Sequence, residues 1–358
     1  MRAALLTEYG RPLVVEEVEP VGPGPRDVVV AMTASPLCVT DCLNQRGTRG
    51  LPRTLPTILG HAAVGTVLER GEDVGHLRVG ERVLVPATPE CGRCHWCRRG
   101  RPDQCADLLL APETVARRAD GTEVRCGLAT YAERIRVAAS YVYPLDSELD
   151  DVTLSLLGCG ITTGLGAVFN VAAPAPGDSV AIVGCGHLGL WMVQGARLAG
   201  AAPIIAVEPL ADRGEAALAL GATAHVNPAE TDAVQAVRAL TGGRGADHVL
   251  EASGWPEAQE QAVLMSARAG TVVLTGVFSQ RAAITLPQVE LSIRGRRVES
   301  CQNGRCHMHR DIPRFVELLE RGDVDASPII SDVHPLEDIN LALEAAAARH
   351  ALTGVLVP

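Results

Sequence analysis

The stretch CGRCHWCRRGRPDQC places Cys91, Cys94, Cys97 and Cys105 close together, with two, two and seven intervening residues. Sulfurs at that spacing can converge on one tetrahedral ion, and four thiolates complete the shell of a structural Zn²⁺. A full shell has no open position, so this metal is expected to hold a lobe at roughly 90–106 together and to take no part in chemistry. The chain carries eleven cysteines in 358 residues, and its N-terminus, MRAALLTEYGRPLVV, lacks a charged leader followed by a long apolar core. Both features predict a cytoplasmic protein with reduced thiols and metal sites rather than a disulfide framework.

The length suggests two domains. A net charge of −10, with no basic stripe, argues against a nucleic-acid partner. There is no lysine: all 32 basic residues are arginine, which excludes a Schiff-base lysine and a phosphate-loop lysine. The segment 152–179 contains a single charge, Asp178, and could mimic a membrane span. Its glycines, Asn170, Pro174 and Pro176 instead predict a buried strand-and-helix segment, with no membrane partner.

The first part of the chain reads as strands. Residues 12–19, 27–33, 63–68 and 82–85 alternate or run apolar between turn-rich stretches, and the polar segment 107–127 reads as an irregular surface excursion. From about 178 the pattern changes to alternating strand and helix. Strands are expected around VAIV, PIIAVEP, ADHVLEAS and GTVVLTGVF, and helices at 190–201, 211–220, 230–241 and 256–268. This order implies a parallel sheet covered by helices on both faces. The tail carries two further helical stretches, PRFVELLERG and LEDINLALEAAAA.

Gly184-Cys185-Gly186-His187-Leu188-Gly189 follows the apolar strand VAIV and opens a helix. In that setting GxGxxG is a dinucleotide turn: the glycines allow a tight bend and close approach of the backbone to pyrophosphate at a helix N-terminus. Glu208 ends the next strand, where a carboxylate accepts from ribose hydroxyls and repels a 2′-phosphate. NAD(H) is therefore expected over NADP(H), with nearby Arg213 able to soften the discrimination.

Cys38 in SPLCVTD, His61 in LGHAAVG and Cys159 in LGCGITTG form a second candidate metal set. Two cysteines and one histidine leave a fourth position open, as a catalytic zinc requires. Taken singly, each residue could equally be a buried thiol or a hydrogen-bonded imidazole. With the four-cysteine lobe, the CVTD, GH and GCGITTG segments and the GCGHLG–Glu208 unit in this order, the chain resembles the zinc-dependent medium-chain alcohol dehydrogenases over essentially its full length.

The resemblance implies an α/β protein with a β-rich GroES-like catalytic domain, residues 1–159 and 299–358, and a Rossmann doubly wound domain, residues 160–298. It implies two zinc ions per chain, one on Cys38, His61 and Cys159 and one in the lobe. Thr40 would bond the substrate oxygen and pass its proton, and Asp41 would accept from the far nitrogen of His61. Thr163 and Leu188 would lie beside the nicotinamide, and Arg213 would approach the adenosine ribose. A small-molecule alcohol or carbonyl substrate and a homodimer or homotetramer follow by the same resemblance.

Three positions depart from that pattern. Ala62 stands where the family has a glutamate after the histidine, Leu43 where a histidine ends the proton relay, and Val39 where a basic residue touches cofactor phosphate. Ala87 occupies a position where the family often has an aromatic wall; either this leaves space for a bulky or aromatic substrate or neighbouring side chains refill the gap. The chemistry expected is hydride exchange between NAD(H) and an alcohol or its carbonyl partner. The alternatives are reduction of an iminium or activated alkene, a non-catalytic relic that keeps its structural zinc, or a zinc lyase with tightly held NAD. The segment 301–309, rich in cysteine and histidine, reads as a polar loop rather than a third metal site.

Overall fold

In a computed structural model, which describes residues 1–48, 53–109, 113–277, 279, 282–349 and 351–358, the N-terminal alternation becomes antiparallel sheet. The later apolar runs become parallel sheet. The chain divides into two units. The first comprises Met1–Cys159, His307–Glu320 and Ile329–Pro358, and the second Gly160–Cys306 and Arg321–Pro328.

In the first unit the ten-residue strand Asp27–Pro36 is the spine. It pairs antiparallel with Ala63–Arg70, Arg134–Ala138 and Thr353–Val357. Alternate side chains of these strands, among them Val28, Val30, Met32, Val67, Ile135 and Val137, face one buried cluster, as the period of two requires. A smaller sheet places Arg2–Leu6 between Val14–Glu17 and Thr57–Ile58. The helix Asp151–Ser155 leads to the second cysteine of the candidate metal set; Asp150 caps it, its carboxylate accepting from Thr153 N at 2.9 Å.

One expectation in this unit is corrected. The segment 107–127 is not irregular: Glu113–Arg117 and Glu123–Cys126 form an antiparallel hairpin that extends to Glu19–Pro20. Val115, Ala116, Val124 and Cys126 are buried beneath it. The bend is made by Asp120 and Gly121, the latter at φ 85°. Arg118 N donates to Thr122 O and Gly121 N to Arg118 O, so the loop is the three residues Ala119, Asp120 and Gly121, a hairpin signal that the polar composition of the segment concealed.

The second unit is a six-stranded parallel sheet among the described residues. Its order is Ala224–Val226, Ile204–Val207, Val180–Val183, Ala246–Glu251, Ser266–Leu274 and Arg297–Ser300. Every residue of Val180–Val183 and of Ile204–Val207 is buried, as expected for strands covered on both faces. The chain leaves Val180–Val183 towards one side and returns on the other, so the strand order reverses beside it; ligands of doubly wound sheets lie outside the strand carboxyl ends at such a point. Two boundaries differ from expectation. The helix Pro256–Met265 stops three residues early because Ser266 already begins the next strand. The return to the first unit comes at His307 rather than 299, because Arg297–Ser300 is the sheet's edge strand. Among the described residues no single helix is long and apolar enough to cross a membrane.

Candidate metal centres and cofactor turn

The ligand atoms of Cys91, Cys94, Cys97 and Cys105 all lie within 4.8 Å of one another. Two short 3-10 turns, Cys97–Arg99 and Pro102–Gln104, fold the lobe back so that the distant Cys105 reaches the first three. Asp103, buried inside the lobe, takes a two-pronged bond from Arg101, with both contacts at 2.8 Å. Backbone N–H groups of Cys97 and Ala106 point at Cys94 Sγ, at 3.5 and 3.4 Å, and pull that thiol down to about 6. Burial pushes Cys105 up to about 11 and Cys97 higher still. Four sulfurs this close cannot all ionise without a cation among them, and a zinc ion held by Cys91, Cys94, Cys97 and Cys105 would supply the missing charge. The donor set therefore fits a closed Zn²⁺ site.

The second set is Cys38, His61 and Cys159, whose ligand atoms also lie within 4.8 Å of one another. Cys38 follows the spine strand and stands at the N-cap of the helix Val39–Gln45; Cys159 follows the 3-10 turn Leu156–Gly158. His61 is presented by Gly60, which has φ 86° and no room for a side chain, since a Cβ would lie 2.2 Å from Thr130 Oγ1. Ser35 Oγ holds the same segment, donating to Ala62 O at 2.8 Å and standing 2.9 Å from Thr130 Oγ1, whose hydroxyl it can accept from. Ala87 N donates to Gly158 O at 2.9 Å, tying the strand end at Val85 to the Cys159 segment. Three donors with neutral or thiolate character fit a zinc ion with one position open.

Asp41 is 1 % exposed and stands 3.3 Å from His61 Nδ1, leaving the other ring nitrogen for a metal. Its second oxygen accepts from Tyr131 OH at 2.8 Å. The hydrogen bond from Cys159, with help from His61 and against burial, holds the Cys38 thiol well below its usual range. Burial lowers His61, but Asp41 and Cys38 outweigh it and push the imidazole up to about 10. Both shifts favour a charged thiolate beside the imidazole, the donor chemistry that a zinc ion would meet. Thr40 is half-buried and hydrogen-bonds the Cys38 sulfur. Val39 is 61 % exposed, Leu43 is half-buried and Ala62 is fully buried. Tyr131 was missed in the sequence; a tyrosine in an apolar run needs a partner for its hydroxyl, and that was the available signal.

In the second unit the dinucleotide turn has the shape its glycines predict. Gly184 has φ 88°, a Cβ on Gly189 would lie 1.9 Å from Gly184 O, and Gly186 caps the helix His187–Leu198. Glu208, 4 % exposed, follows Ile204–Val207 and accepts from Cys185 N at 2.7 Å and Leu210 N at 3.1 Å. The carboxylate is locked beside the turn. A guanidinium nitrogen of Arg213 lies 3.5 Å from where a Cβ of Gly186 would stand. Leu188 is half-buried in the first turn of the helix, and Thr163 Oγ1 donates to Asn303 Oδ1 at 3.1 Å. A backbone cradle with an anchored acid beside it fits a dinucleotide. The 301–309 segment joins no metal cluster among the described residues: His307 faces Glu90 at 3.4 Å, and Cys306 Sγ donates to Thr162 O.

Comparison with known proteins gives the same picture. Residues 24–147 match the alcohol dehydrogenase GroES-like domain and residues 188–321 the zinc-binding dehydrogenase domain. The chain is 34 % identical to an S-(hydroxymethyl)glutathione dehydrogenase of Synechocystis, over 96 % of this chain and 95 % of the relative. An alcohol dehydrogenase zinc-binding domain protein from Burkholderia ambifaria superposes with a TM-score of 0.94 at 30 % identity, over 100 % of this chain and 98 % of that one. Benzyl alcohol dehydrogenase from Acinetobacter calcoaceticus does so with a TM-score of 0.90 at 25 % identity, over 99 % and 98 %. The chain belongs to the zinc-dependent medium-chain dehydrogenase/reductases and is an oxidoreductase of the alcohol dehydrogenase type.

Proposed function

We propose that the protein exchanges hydride between NAD(H) and a primary or secondary alcohol or its aldehyde or ketone, with preference for a bulky or aromatic substrate. The observation that carries this is the convergence of Cys38, His61 and Cys159 within 4.8 Å, a set of three donors that leaves one position for a substrate oxygen. When bound, zinc supplies a Lewis acid and the nicotinamide accepts or gives the hydride. Asp41 fixes the tautomer and orientation of His61. Thr40 holds the substrate hydroxyl and takes its proton onward; with Leu43 in place of an imidazole, that proton leaves through Thr40 and water. Glu208, held by two backbone N–H groups, retains lone pairs for the ribose hydroxyls and repels a 2′-phosphate, which supports NAD(H). The small Ala87, where the family often has an aromatic wall, supports a larger substrate, and the benzyl alcohol dehydrogenase among the structural neighbours supports an aromatic one.

The test is a spectrophotometric screen of aliphatic, terpenoid and benzylic alcohols, their carbonyl partners and iminium compounds with both nicotinamides. Reduction of NAD⁺ by alcohols, best with benzylic or terpenoid ones, is expected. Turnover confined to iminium substrates would replace this reading with the one favoured by Leu43 and Ala62, in which less proton traffic is needed. No turnover in a protein carrying two zincs per chain would refute both.

A further inference from the structure

At the amino ends of the parallel strands, three arginines gather round one carboxylate. Arg296 directly precedes the edge strand Arg297–Ser300, and its guanidinium is buried against Glu290 on the short helix Gln288–Ser292. Arg294 reaches the same Glu290 oxygen at 3.4 Å. Arg238, in the last turn of the helix Ala233–Leu240, donates to Leu264 O at 3.0 Å, and Arg296 donates to Ser266 O at 2.6 Å. These two bonds cover the last carbonyls of the helix Pro256–Met265, a favourable place for cations. They do not account for the number of charges. Three guanidiniums to one buried carboxylate leave two positive charges in excess, in a chain of net charge −10. Burial, and after it the neighbouring Arg238, hold Arg296 below the usual arginine range, so the like charges do act on one another.

Arg238, Gln261, Leu264 and Arg294 line a groove of about 620 Å³, a volume that suits a small organic ligand. A guanidinium carries five N–H donors. Among the described residues Arg238 spends one of them, on Leu264 O, and Arg294 makes only its long contact to Glu290. The side-chain amides of Gln235 and Gln261, in the same groove, make no hydrogen bond among the described residues. The other acid among the described lining residues is Asp232, which accepts from Gln235 N at 3.0 Å as the cap of its helix. It stands six residues before Arg238, about 9 Å along the helix axis, so it does not cancel the charge at the arginine end.

The place is separate from the dinucleotide turn. Gly184 follows the strand Val180–Val183, whereas Leu264 and Arg296 precede the strands Ser266–Leu274 and Arg297–Ser300. All strands of a parallel sheet run one way, so the arginines and the turn lie at opposite ends of it, about 13 Å apart for a four-residue strand. The excess charge selects the ligand. A phosphate monoester carries about −1.5 to −2 near neutral pH, which matches two unpaired guanidiniums. Its three terminal oxygens can be shared between two arginine forks that come from different elements, whereas the two oxygens of a carboxylate are used up by one fork. Val234 and Leu264 supply apolar surface for the rest of the molecule. We propose that this groove binds a small phosphate monoester, with the phosphate bridging Arg238 and Arg294 and the organic part lying against Val234 and Leu264.

The test is calorimetric titration of the zinc-loaded protein, with NADH present to keep anions off the glycine turn. The probes are inorganic phosphate, phenyl phosphate and benzoate. Phenyl phosphate is expected to bind once per chain with a Kd below about 1 mM, and benzoate at least about tenfold more weakly. Inorganic phosphate, which lacks the apolar part, should fall between them. R238Q and R294Q each remove a charge and keep an amide donor. Each should weaken phenyl phosphate about tenfold, while NADH affinity, measured separately, stays within about twofold. Should R238Q, which also alters the bond to Leu264 O, not fold, R294Q decides alone. No binding of phenyl phosphate below about 10 mM, unchanged affinity in R294Q, or benzoate binding as well as phenyl phosphate overturns the proposal. A parallel loss of NADH affinity in R294Q would place the phosphate at the glycine turn and overturns it as well.

Discussion

Replacing Asp41 by asparagine tests the metal corner with little change in shape. The buried carboxylate faces His61 Nδ1 at 3.3 Å and accepts from Tyr131 OH at 2.8 Å. An amide of the same size can accept from only one of the two donors. If its oxygen keeps His61, its nitrogen can donate to the Tyr131 oxygen but cannot accept, so the proton of the fully buried Tyr131 hydroxyl loses its acceptor. A hydrogen bond to a charged acceptor contributes about 1.5–3 kcal/mol and a neutral one about 1, so about 0.5–2 kcal/mol of ligand orientation is lost. That converts to roughly tenfold in zinc affinity, at the low end of the range for groups that orient a ligating histidine. The assay is titration with a chromophoric chelator, followed by metal analysis. The lobe zinc is an internal control because its four thiolates do not touch Asp41. D41N should release one zinc per chain at about tenfold lower chelator strength and the second unchanged. Loss of both zincs in step would mean general unfolding, and an unshifted first release would show that Asp41 does not support the metal.

The remaining predictions are of stability. C94S removes the sulfur that receives the N–H groups of Cys97 and Ala106; it should leave one zinc per chain and make the lobe the first site of limited proteolysis, whereas retention of two zincs would exclude Cys94 as a ligand. G60A forces a side chain onto Thr130 and Tyr131 at positive φ; urea melts should show a loss of about 2–4 kcal/mol, and a loss below about 1 would mean that the segment relaxes freely. Burial raises Asp247, but its bonds from Ser179 N and Oγ prevail and hold it below the usual carboxylate range. A depressed carboxylate stabilises above its unfolded value and loses that contribution as pH falls through the folded one. D247N should therefore be less stable than wild type by about 1 kcal/mol at pH 7, after discounting for partial exposure, with the gap closing below pH 3.8. A gap that does not vary with pH would remove the charge from the explanation.

Features set by local spacing were legible in the sequence. Cys91, Cys94 and Cys97 lie within one short loop, and the glycines of 184–189 encode a turn that few other residues could make. What the sequence concealed depends on partners far along the chain. The hairpin of 113–126 is stabilised by Val115, Val124 and Cys126 packing under a distant sheet, while its exposed face is as polar as a loop. Tyr131 matters only because the fold brings it to Asp41, ninety positions earlier. Asn303 looked like an ordinary loop residue because its two threonine partners lie in a helix about 140 positions away. The end of Pro256–Met265 was hidden because nothing in the side chains of Ser266 or Ala267 forbids another helical turn; pairing with the neighbouring strand decides it.

The tie between Ala87 N and Gly158 O separates two jobs that share one small region. The main chain at position 87 helps anchor the Cys159 segment, and its methyl group takes no part in that bond. Under the proposed function, exchanges at position 87 change which molecules are accepted, while this backbone bond, which needs only the residue's N–H, is compatible with every such exchange except to proline.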